Sequence, residues 1–318
     1  MRLERHDPVF AVVAPPRVPR FRDLAGLTDG DVVTADFSGW SKLVLLAGDR
    51  AFLFPRDHTQ VEYLEREVEA LRAVAGIRLP QVPVVDAVWD DPGVSALPVA
   101  VVTRLPGRLL AERMESLTVE QVGDVLEQVA ALAARWHAAD PGPLAQRPPR
   151  THPPQALVDD LLGRLSLDEA LEHAAAPLGL DAGRRSRLAD ALEQARTLPP
   201  VLVHGDVHEG QLLVDDDLRV TGVIDWQTAR VGHPFTEFDL GEWGTGTWRA
   251  HRRSFPELRR RQWAVYAAAR GLPDDLGPAF ERFWAVVHAL RWPESVFVGT
   301  DVTGPHEEAL AIAHAALS

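Results

Sequence analysis

The sequence contains no cysteine. This absence excludes disulfide frameworks, thiolate metal sites and cysteine nucleophiles. Long apolar runs are also missing, since none approaches the roughly 18 residues that a membrane helix needs, and we therefore expect no membrane partner. The apolar stretch at residues 9–14 is preceded by acidic residues and followed by prolines, unlike a cleaved signal peptide. These features favour a cytoplasmic protein.

Basic residues are scarce as well. The chain has 33 lysines and arginines against 46 acidic residues, a formal net charge of −13, and no arginine-rich stripe. Attraction to a phosphate backbone would work against this charge, so we expect no nucleic-acid partner. An acidic balance favours cationic small molecules, but it is more often simply the surface charge of an ordinary enzyme. Lysine is the rarest base, and Lys42 is the only one.

The 318 residues, 46% of them hydrophobic, are enough for two domains or one bilobed unit. The first third is patterned as short strands. Apolar runs at residues 32–37, 42–46 and 51–55 are separated by turn residues and predict a hairpin followed by a third strand. Residues 60–75 carry apolar side chains at helical spacing and predict one amphipathic helix. Two further short apolar runs, residues 82–88 and 97–102, predict buried strands.

The pattern changes after Thr-Arg-Leu-Pro-Gly, residues 103–107. Strand signals nearly vanish until residue 200, and helical periodicity dominates. We therefore predict an N-terminal domain of residues 1–104 and a C-terminal domain of residues 105–318. The proline-rich stretch 140–154 predicts an exposed connection without regular structure. Strand character returns at three places, followed by helices to the end: residues 201–203, 212–214 and 220–224.

The candidate catalytic and metal-binding residues are concentrated in residues 201–226, VLVHGDVHEGQLLVDDDLRVTGVIDW. A strand leads into His204 and Asp206, Gln211 follows on the loop, and a later strand ends at Asp225. Two carboxylates with an amide between them would converge if the two strands are neighbours. A metal-dependent hydrolase is one interpretation, because His204, Asp206 and His208 could bind a metal with Asp225 as a fourth ligand.

A more specific interpretation comes from the motif itself. HGDxHxGQ followed by VxGVIDW resembles the catalytic signature of the aminoglycoside and macrolide phosphotransferases, relatives of choline kinase with a protein-kinase-like fold. The resemblance implies a bilobed α+β fold, with a small N-terminal antiparallel sheet, one helix, and a larger, mainly helical C-terminal lobe. It also implies Mg²⁺-dependent transfer of the γ-phosphoryl group of ATP or GTP to a small-molecule hydroxyl, most directly that of an antibiotic.

The resemblance assigns roles to individual residues. Asp206 would orient the acceptor hydroxyl and take its proton, and His204 would brace the catalytic loop. Gln211 and Asp225 would hold Mg²⁺ on the nucleotide phosphates. The acceptor side would lie in EFDLGEWGTGTW, although an aspartate ahead of a helix is more often a helix cap. The candidate acceptor residues, besides Asp206, are Asp239, Glu242, Trp243 and Trp248.

The nucleotide side is less regular. The turn between the first two strands, which contains Ser38, Gly39, Trp40 and Ser41, would cover the nucleotide. Thr103 and Leu105 of TRLPG would belong to the hinge between the two lobes. The family usually carries a lysine or arginine where Leu53 stands in FLFPR, and most members carry asparagine at the position of Gln211. Lys42 is the first candidate for the missing cation and Arg56 the second, with Glu67 as its ion-pair partner. These departures also leave a nucleotide-binding pseudokinase as an alternative.

Overall fold

The computed structural model of the protein describes residues 9–28, 30–37, 39–148, 153–239, 254–291 and 303–318. Its first large element is a five-stranded antiparallel sheet with the strand order β1-β2-β3-β5-β4. The strands are β1 (Val33–Asp36), β2 (Lys42–Ala47), β3 (Arg50–Pro55), β4 (Val85–Trp89) and β5 (Val99–Thr103). Each lies within a few residues of a predicted strand, because apolar runs between turn residues are a strong signal.

The register of β2 against β3 matters for the site. Lys42 pairs with Pro55, and Val44 pairs with Leu53. Directly opposed residues share a face of the sheet, and so do residues two apart on one strand. Lys42 and Leu53 are therefore diagonal neighbours on the same face.

Helices cover both faces of this sheet. On one face lie α1 (Val9–Val12) and α2 (Val18–Ala25), which the sequence analysis did not predict. Phe21 of α2 packs edge-on against Phe52, with the ring centroids 5.2 Å apart. On the other face, the predicted helix is α3 (Val61–Ala75). Its apolar stripe, including Leu64 and Val68, is buried in the same cluster as Leu53.

The C-terminal part is mainly helical, as predicted. Its helices are α4 (Val119–Trp136), α5 (Pro153–Asp159), α6 (Leu167–Leu178), α7 (Ala182–Ala195), α8 (Phe255–Arg270), α9 (Leu276–Arg291) and α10 (Thr303–Ala316). The absence of regular structure predicted for residues 140–154 is wrong in part. A 3₁₀ helix spans Gly142–Gln146, and α5 begins at Pro153, because the first position of a helix tolerates proline.

Two small antiparallel sheets hold residues 201–226, the segment that contains the phosphotransferase-like motif. One contains β6 (Arg108–Leu109), β8 (Leu212–Val214) and β9 (Val220–Val223); the other pairs β7 (Val201–Val203) with β10 (Arg230–Gly232). Strand β10 was not predicted. The proposed domain boundary at residues 104–105 falls in the connection between β5 and β6 and stays a prediction. None of the helices within the described ranges has the length and apolar character needed to cross a bilayer.

Candidate active site

Lys42 links three parts of the molecule at the start of β2. Its ammonium Nζ donates to the carboxylate of Glu67 on α3 and lies 2.7 Å from Asp225 Oδ1, just beyond β9. The lysine side chain is only 12% exposed. Burial by itself would lower the pKa of Lys42, but the two carboxylates outweigh this effect and raise it above the ordinary value. The ammonium is therefore a fixed positive charge in the site.

The two other positions considered for a phosphate-binding cation, residues 53 and 56, have different surroundings. Leu53 is 6% exposed and packs in the apolar cluster beneath the sheet. Arg56 is exposed, and its guanidinium donates to the carbonyl oxygens of Gly39 at 2.8 Å and Phe37 at 2.6 Å. Arg56 thus supports the β1–β2 turn, whereas Lys42 occupies the place beside Glu67. Leu53 offers no cation, whereas Lys42 on the neighbouring strand places its ammonium beside Glu67. That Lys42 replaces the missing cation stays a prediction.

The β1–β2 turn approaches the same site. A Cβ on Gly39 would lie 3.0 Å from the Lys42 carbonyl oxygen, which explains the small residue. Ser41 is buried, and its hydroxyl donates to Gln227 Oε1. Trp40 is 53% exposed and contacts Tyr63 edge-on, with the ring centroids 5.2 Å apart. Ser38 lies outside the described residues.

The predicted hinge residues lie at the end of β5. The Thr103 hydroxyl accepts the backbone N–H of Val84 at 2.9 Å, and Leu105 is half-buried facing Gly222. Their nucleotide-binding role, like that of the turn, stays a prediction.

Asp225 has a left-handed backbone conformation, with φ of 66° and ψ of 58°. This conformation is strained for a residue with a Cβ, and such strain clusters at functional sites. Besides Lys42, its carboxylate accepts from the amide groups of Gln211 at 3.2 Å and Gln227 at 3.4 Å. The structure therefore brings together Lys42, Glu67, Gln211 and Asp225, four of the residues singled out from the sequence.

His204 begins the loop after β7 and is fully buried. Its Nδ1 accepts the backbone N–H of Asp206 at 3.3 Å, so Nε2 carries the hydrogen that it donates to the Ile224 carbonyl at 2.9 Å. Burial lowers its pKa to about 4, and the ring is neutral at pH 7. This bond ties the loop after β7 to the end of β9, although these strands belong to different sheets.

The hydrolase interpretation needs His204 as a metal ligand, but both of its ring nitrogens are already engaged. Within the part of the chain that the structure describes, no group of three or more histidine and acidic side chains is placed to hold a metal. Asp206 itself is partly exposed on the loop, with Oδ2 3.9 Å from His208 Nε2. Its position suits contact with a bound molecule.

Glu237 is the first residue of the segment assigned to the acceptor side, but its contact with the loop after β7 was not predicted. It is buried in a 3₁₀ helix (Pro234–Phe238), where Oε1 accepts the Gly205 N–H at 2.9 Å and Oε2 accepts the Trp136 indole N–H at 3.1 Å. Burial raises its pKa to about 7, because the charged form loses its hydration. Through its bond with Gly205, Glu237 holds the loop after β7 in place. An acid between aromatic residues in PFTEF was the signal that could have revealed it.

The acceptor side is described only in part. Asp239 is buried and paired with Arg291, so its charge is already compensated within the protein. The other three acceptor candidates, Glu242, Trp243 and Trp248, lie outside the described residues. The role of all four in acceptor binding stays a prediction.

An amide oxygen and a carboxylate, as Gln211 and Asp225 offer, are ligand types that suit a magnesium ion. Gln211 Nε2 donates to Asp225 Oδ2 across 3.2 Å, and a half-turn of the amide would put its oxygen at that distance instead. Two adjacent oxygen ligands of octahedral Mg²⁺, each at about 2.0–2.1 Å, would be about 2.9 Å apart. Mg²⁺ in phosphoryl-transfer sites is held by one or two carboxylates plus waters and substrate phosphates, so a large protein cluster is not required.

A comparison with known protein families identifies the family of this chain. Residues 33–284 match the family described as the phosphotransferase enzyme family. The chain belongs to this family. As a member, it is an O-phosphotransferase that acts on small molecules. The match spans both the N-terminal sheet and the catalytic segment.

Individual proteins that are similar to this chain are also phosphotransferases that act on antibiotics. The viomycin phosphotransferase of Streptomyces vinaceus is 29% identical over 223 residues, 66% of this chain and 74% of that protein. The macrolide 2'-phosphotransferase of Brachybacterium faecium has a TM-score of 0.51 at 21% identity, covering 94% of this chain and 98% of its own. A gentamicin complex of an aminoglycoside phosphotransferase, APH(2")-IIa, has a TM-score of 0.53 at 16% identity, covering 94% and 95%. The two structures show the predicted bilobed, kinase-like fold.

Proposed function

We propose that this enzyme transfers the γ-phosphoryl group of ATP or GTP, with Mg²⁺, to a hydroxyl group of an antibiotic, and that this inactivates the antibiotic. The observation that carries the proposal is the position of Lys42. One ammonium contacts both Glu67 and Asp225, and Asp225 in turn contacts Gln211. This arrangement places groups suited to binding phosphate and a cation side by side, next to the Asp206 loop.

The residues divide the reaction among them. Asp206 orients the acceptor hydroxyl and takes its proton as the oxygen bonds to the γ-phosphorus. The bond between that phosphorus and the β–γ bridging oxygen breaks, and the nucleoside diphosphate leaves. Lys42 holds the phosphates by its charge. Gln211 and Asp225 would hold Mg²⁺, which neutralises charge on the phosphate oxygens when it is bound.

The neutral His204 and the buried Glu237 keep the Asp206 loop in place from two sides. His204 bonds to the end of β9, and Glu237 bonds to the backbone of Gly205. Neither group needs to exchange a proton with the acceptor for this purpose. Rigid support of this kind matters because a misplacement of about 1 Å can cost about a hundredfold in rate.

Support for the donor and acceptor classes comes from the relatives. One similar structure, with a TM-score of 0.50, is a ternary complex of APH(2")-IIa with streptomycin and ATP. The relative in Streptomyces vinaceus is named for viomycin.

The test is phosphate incorporation. The purified protein is incubated with γ-labelled ATP or GTP, with and without Mg²⁺, and with viomycin, other peptide antibiotics, aminoglycosides, macrolides and nucleoside antibiotics. We expect Mg²⁺-dependent labelling of at least one antibiotic and a mass gain of one phosphoryl group, both absent with Asp206→Asn. Mg²⁺-dependent binding of nucleotide without labelling of any antibiotic would contradict the antibiotic acceptor. Metal-dependent release of free phosphate from other esters would instead favour the hydrolase.

A further inference from the structure

The amide end of Gln211 lies between two partners with different needs. Its terminal Nε2 atom is 3.2 Å from Asp225 Oδ2 and also 3.2 Å from His208 Nε2. A carboxylate accepts hydrogen bonds, so an amide N–H suits Asp225. The requirement on the histidine side depends on where the imidazole carries its hydrogen.

A backbone contact settles this. The N–H of Gly210 donates to His208 Nδ1 at 3.0 Å, so Nδ1 carries no hydrogen and the neutral ring has its hydrogen on Nε2. The nearby carboxylate oxygens, Asp206 Oδ2 and Glu209 Oε2, are each 3.9 Å from a ring nitrogen, too far for a hydrogen bond. The Nε2–H therefore faces an amide that is itself a donor.

A half-turn of the amide removes this mismatch. The Gln211 oxygen then accepts from His208 Nε2–H and faces Asp225 Oδ2 instead. Two oxygens about 3.2 Å apart repel unless a cation lies between them. With a cation bound, the turned amide satisfies all three groups, and His208 favours that orientation.

We propose that His208 is a positioning residue that turns the amide oxygen of Gln211 toward the metal ion. This inference rests on the proposed function, because it takes Gln211 and Asp225 as the Mg²⁺ ligands. The longer side chain of glutamine makes the contact available. An asparagine at position 211 would be one methylene shorter and would end farther from His208.

Two substitutions separate this role from simple support of the loop. His208→Asn keeps an acceptor at the place of Nδ1 for the Gly210 N–H but removes the Nε2 donor. His208→Gln does the reverse, because its amide N–H reaches the place of Nε2. A residue that only shapes the loop would be replaced better by asparagine, and a residue that positions Gln211 would be replaced better by glutamine.

The readout is Mn²⁺ affinity, measured by electron paramagnetic resonance of free Mn²⁺ in the presence of a non-hydrolysable nucleotide. We expect His208→Asn to weaken Mn²⁺ binding about tenfold or more, and His208→Gln to stay within about threefold of the wild type. The metal-free melting temperature of each variant serves as the control for folding. In a Gln211→Asn background, His208→Asn should cause no further loss of Mn²⁺ affinity, because the shorter amide has already left the contact.

Three results would overturn the inference: wild-type Mn²⁺ affinity in His208→Asn, a weaker affinity in His208→Gln than in His208→Asn, or an equal loss in both backgrounds. The proposed function fails in a distinguishable way. If the metal site itself is wrong, the unsubstituted protein shows no nucleotide-dependent Mn²⁺ binding; if only the acceptor class is wrong, it binds Mn²⁺ and nucleotide but labels no antibiotic.

Discussion

Removal of the single lysine is the most informative perturbation of this enzyme. Lys42→Ala leaves Glu67 and Asp225, whose side chains are only 5% and 19% exposed, without the cation between them. It also removes the charge that we assign to the phosphates. We expect a fall in kcat/KM for the nucleotide, because both the preorganised carboxylates and the transferred group lose a counter-charge.

The size of this fall can be bounded. A unit charge pair about 4 Å apart, at an effective dielectric constant of about 20, interacts by about 4 kcal/mol, which sets the ceiling. Relaxation and water entry reduce that value, and a tenfold loss, about 1.4 kcal/mol, is the floor that we expect. The prediction is thus a loss of about 10-fold to 1,000-fold. Lys42→Arg should recover only part of it, since the guanidinium is larger and planar.

Moving the lysine from position 42 to position 53 tests the geometry of the site directly. Lys42 and Leu53 are diagonal neighbours on one face of the sheet, at a typical separation of about 7–8 Å. A lysine at position 53 can therefore point its ammonium toward the same carboxylates. The double variant Lys42→Ala, Leu53→Lys should regain at least about tenfold of the lost kcat/KM.

The assay is steady-state nucleotide turnover with the acceptor found by the antibiotic screen, together with calorimetric nucleotide affinity and melting temperature. Arg56→Ala is the matched control, because that arginine contacts turn carbonyls rather than Glu67. The reasoning is refuted if Lys42→Ala retains wild-type kcat/KM while Arg56→Ala loses activity. It is also refuted if the folded double variant is no better than Lys42→Ala alone.

Other predictions follow from the same site. Asp206→Asn should abolish phosphoryl transfer while calorimetry shows nucleotide affinity within a few fold of wild type; near-full turnover would remove its role as base. Asp225→Ala should weaken Mg²⁺-nucleotide binding as well as turnover, and unchanged binding would exclude a metal ligand there. Gln211→Asn should be tolerated in turnover, with no greater loss of metal affinity than removal of the His208 contact causes. Burial raises the folded pKa of Glu237 from 4.5 to about 7, so its stabilising contribution is present below about pH 4.5 and is lost as the pH rises through 7. Urea unfolding should therefore show Glu237→Gln gaining about 3 kcal/mol relative to wild type between pH 4.5 and pH 8, and a pH-independent difference would contradict this.

Several elements were predictable because their signals are local. The apolar spacing of Val61, Leu64 and Val68 predicts α3, since one buried face imposes that period on a helix. The helices α1 and α2 were missed because their few apolar residues show no long period. Strand β10 was not predicted because its three residues show no strand pattern of their own and form a strand only by pairing with β7.

The same division holds for the site. The sequence by itself determined the residue types and their order: a histidine and an aspartate after one strand, an amide, and an aspartate after another strand. It also showed that Lys42 is the only lysine available. These properties are covalent and local, and the motif of residues 204–226 carries them without the fold.

Only the tertiary structure decided which groups meet. Lys42 reaches Asp225 across 183 positions of sequence, and Glu237 reaches Gly205 from the far side of the loop. The bond between His204 Nε2 and the Ile224 carbonyl likewise joins segments from two different strands. Such contacts follow from register, burial and desolvation, because a charged or polar group inside the protein must find its partner wherever the packed chain brings one near.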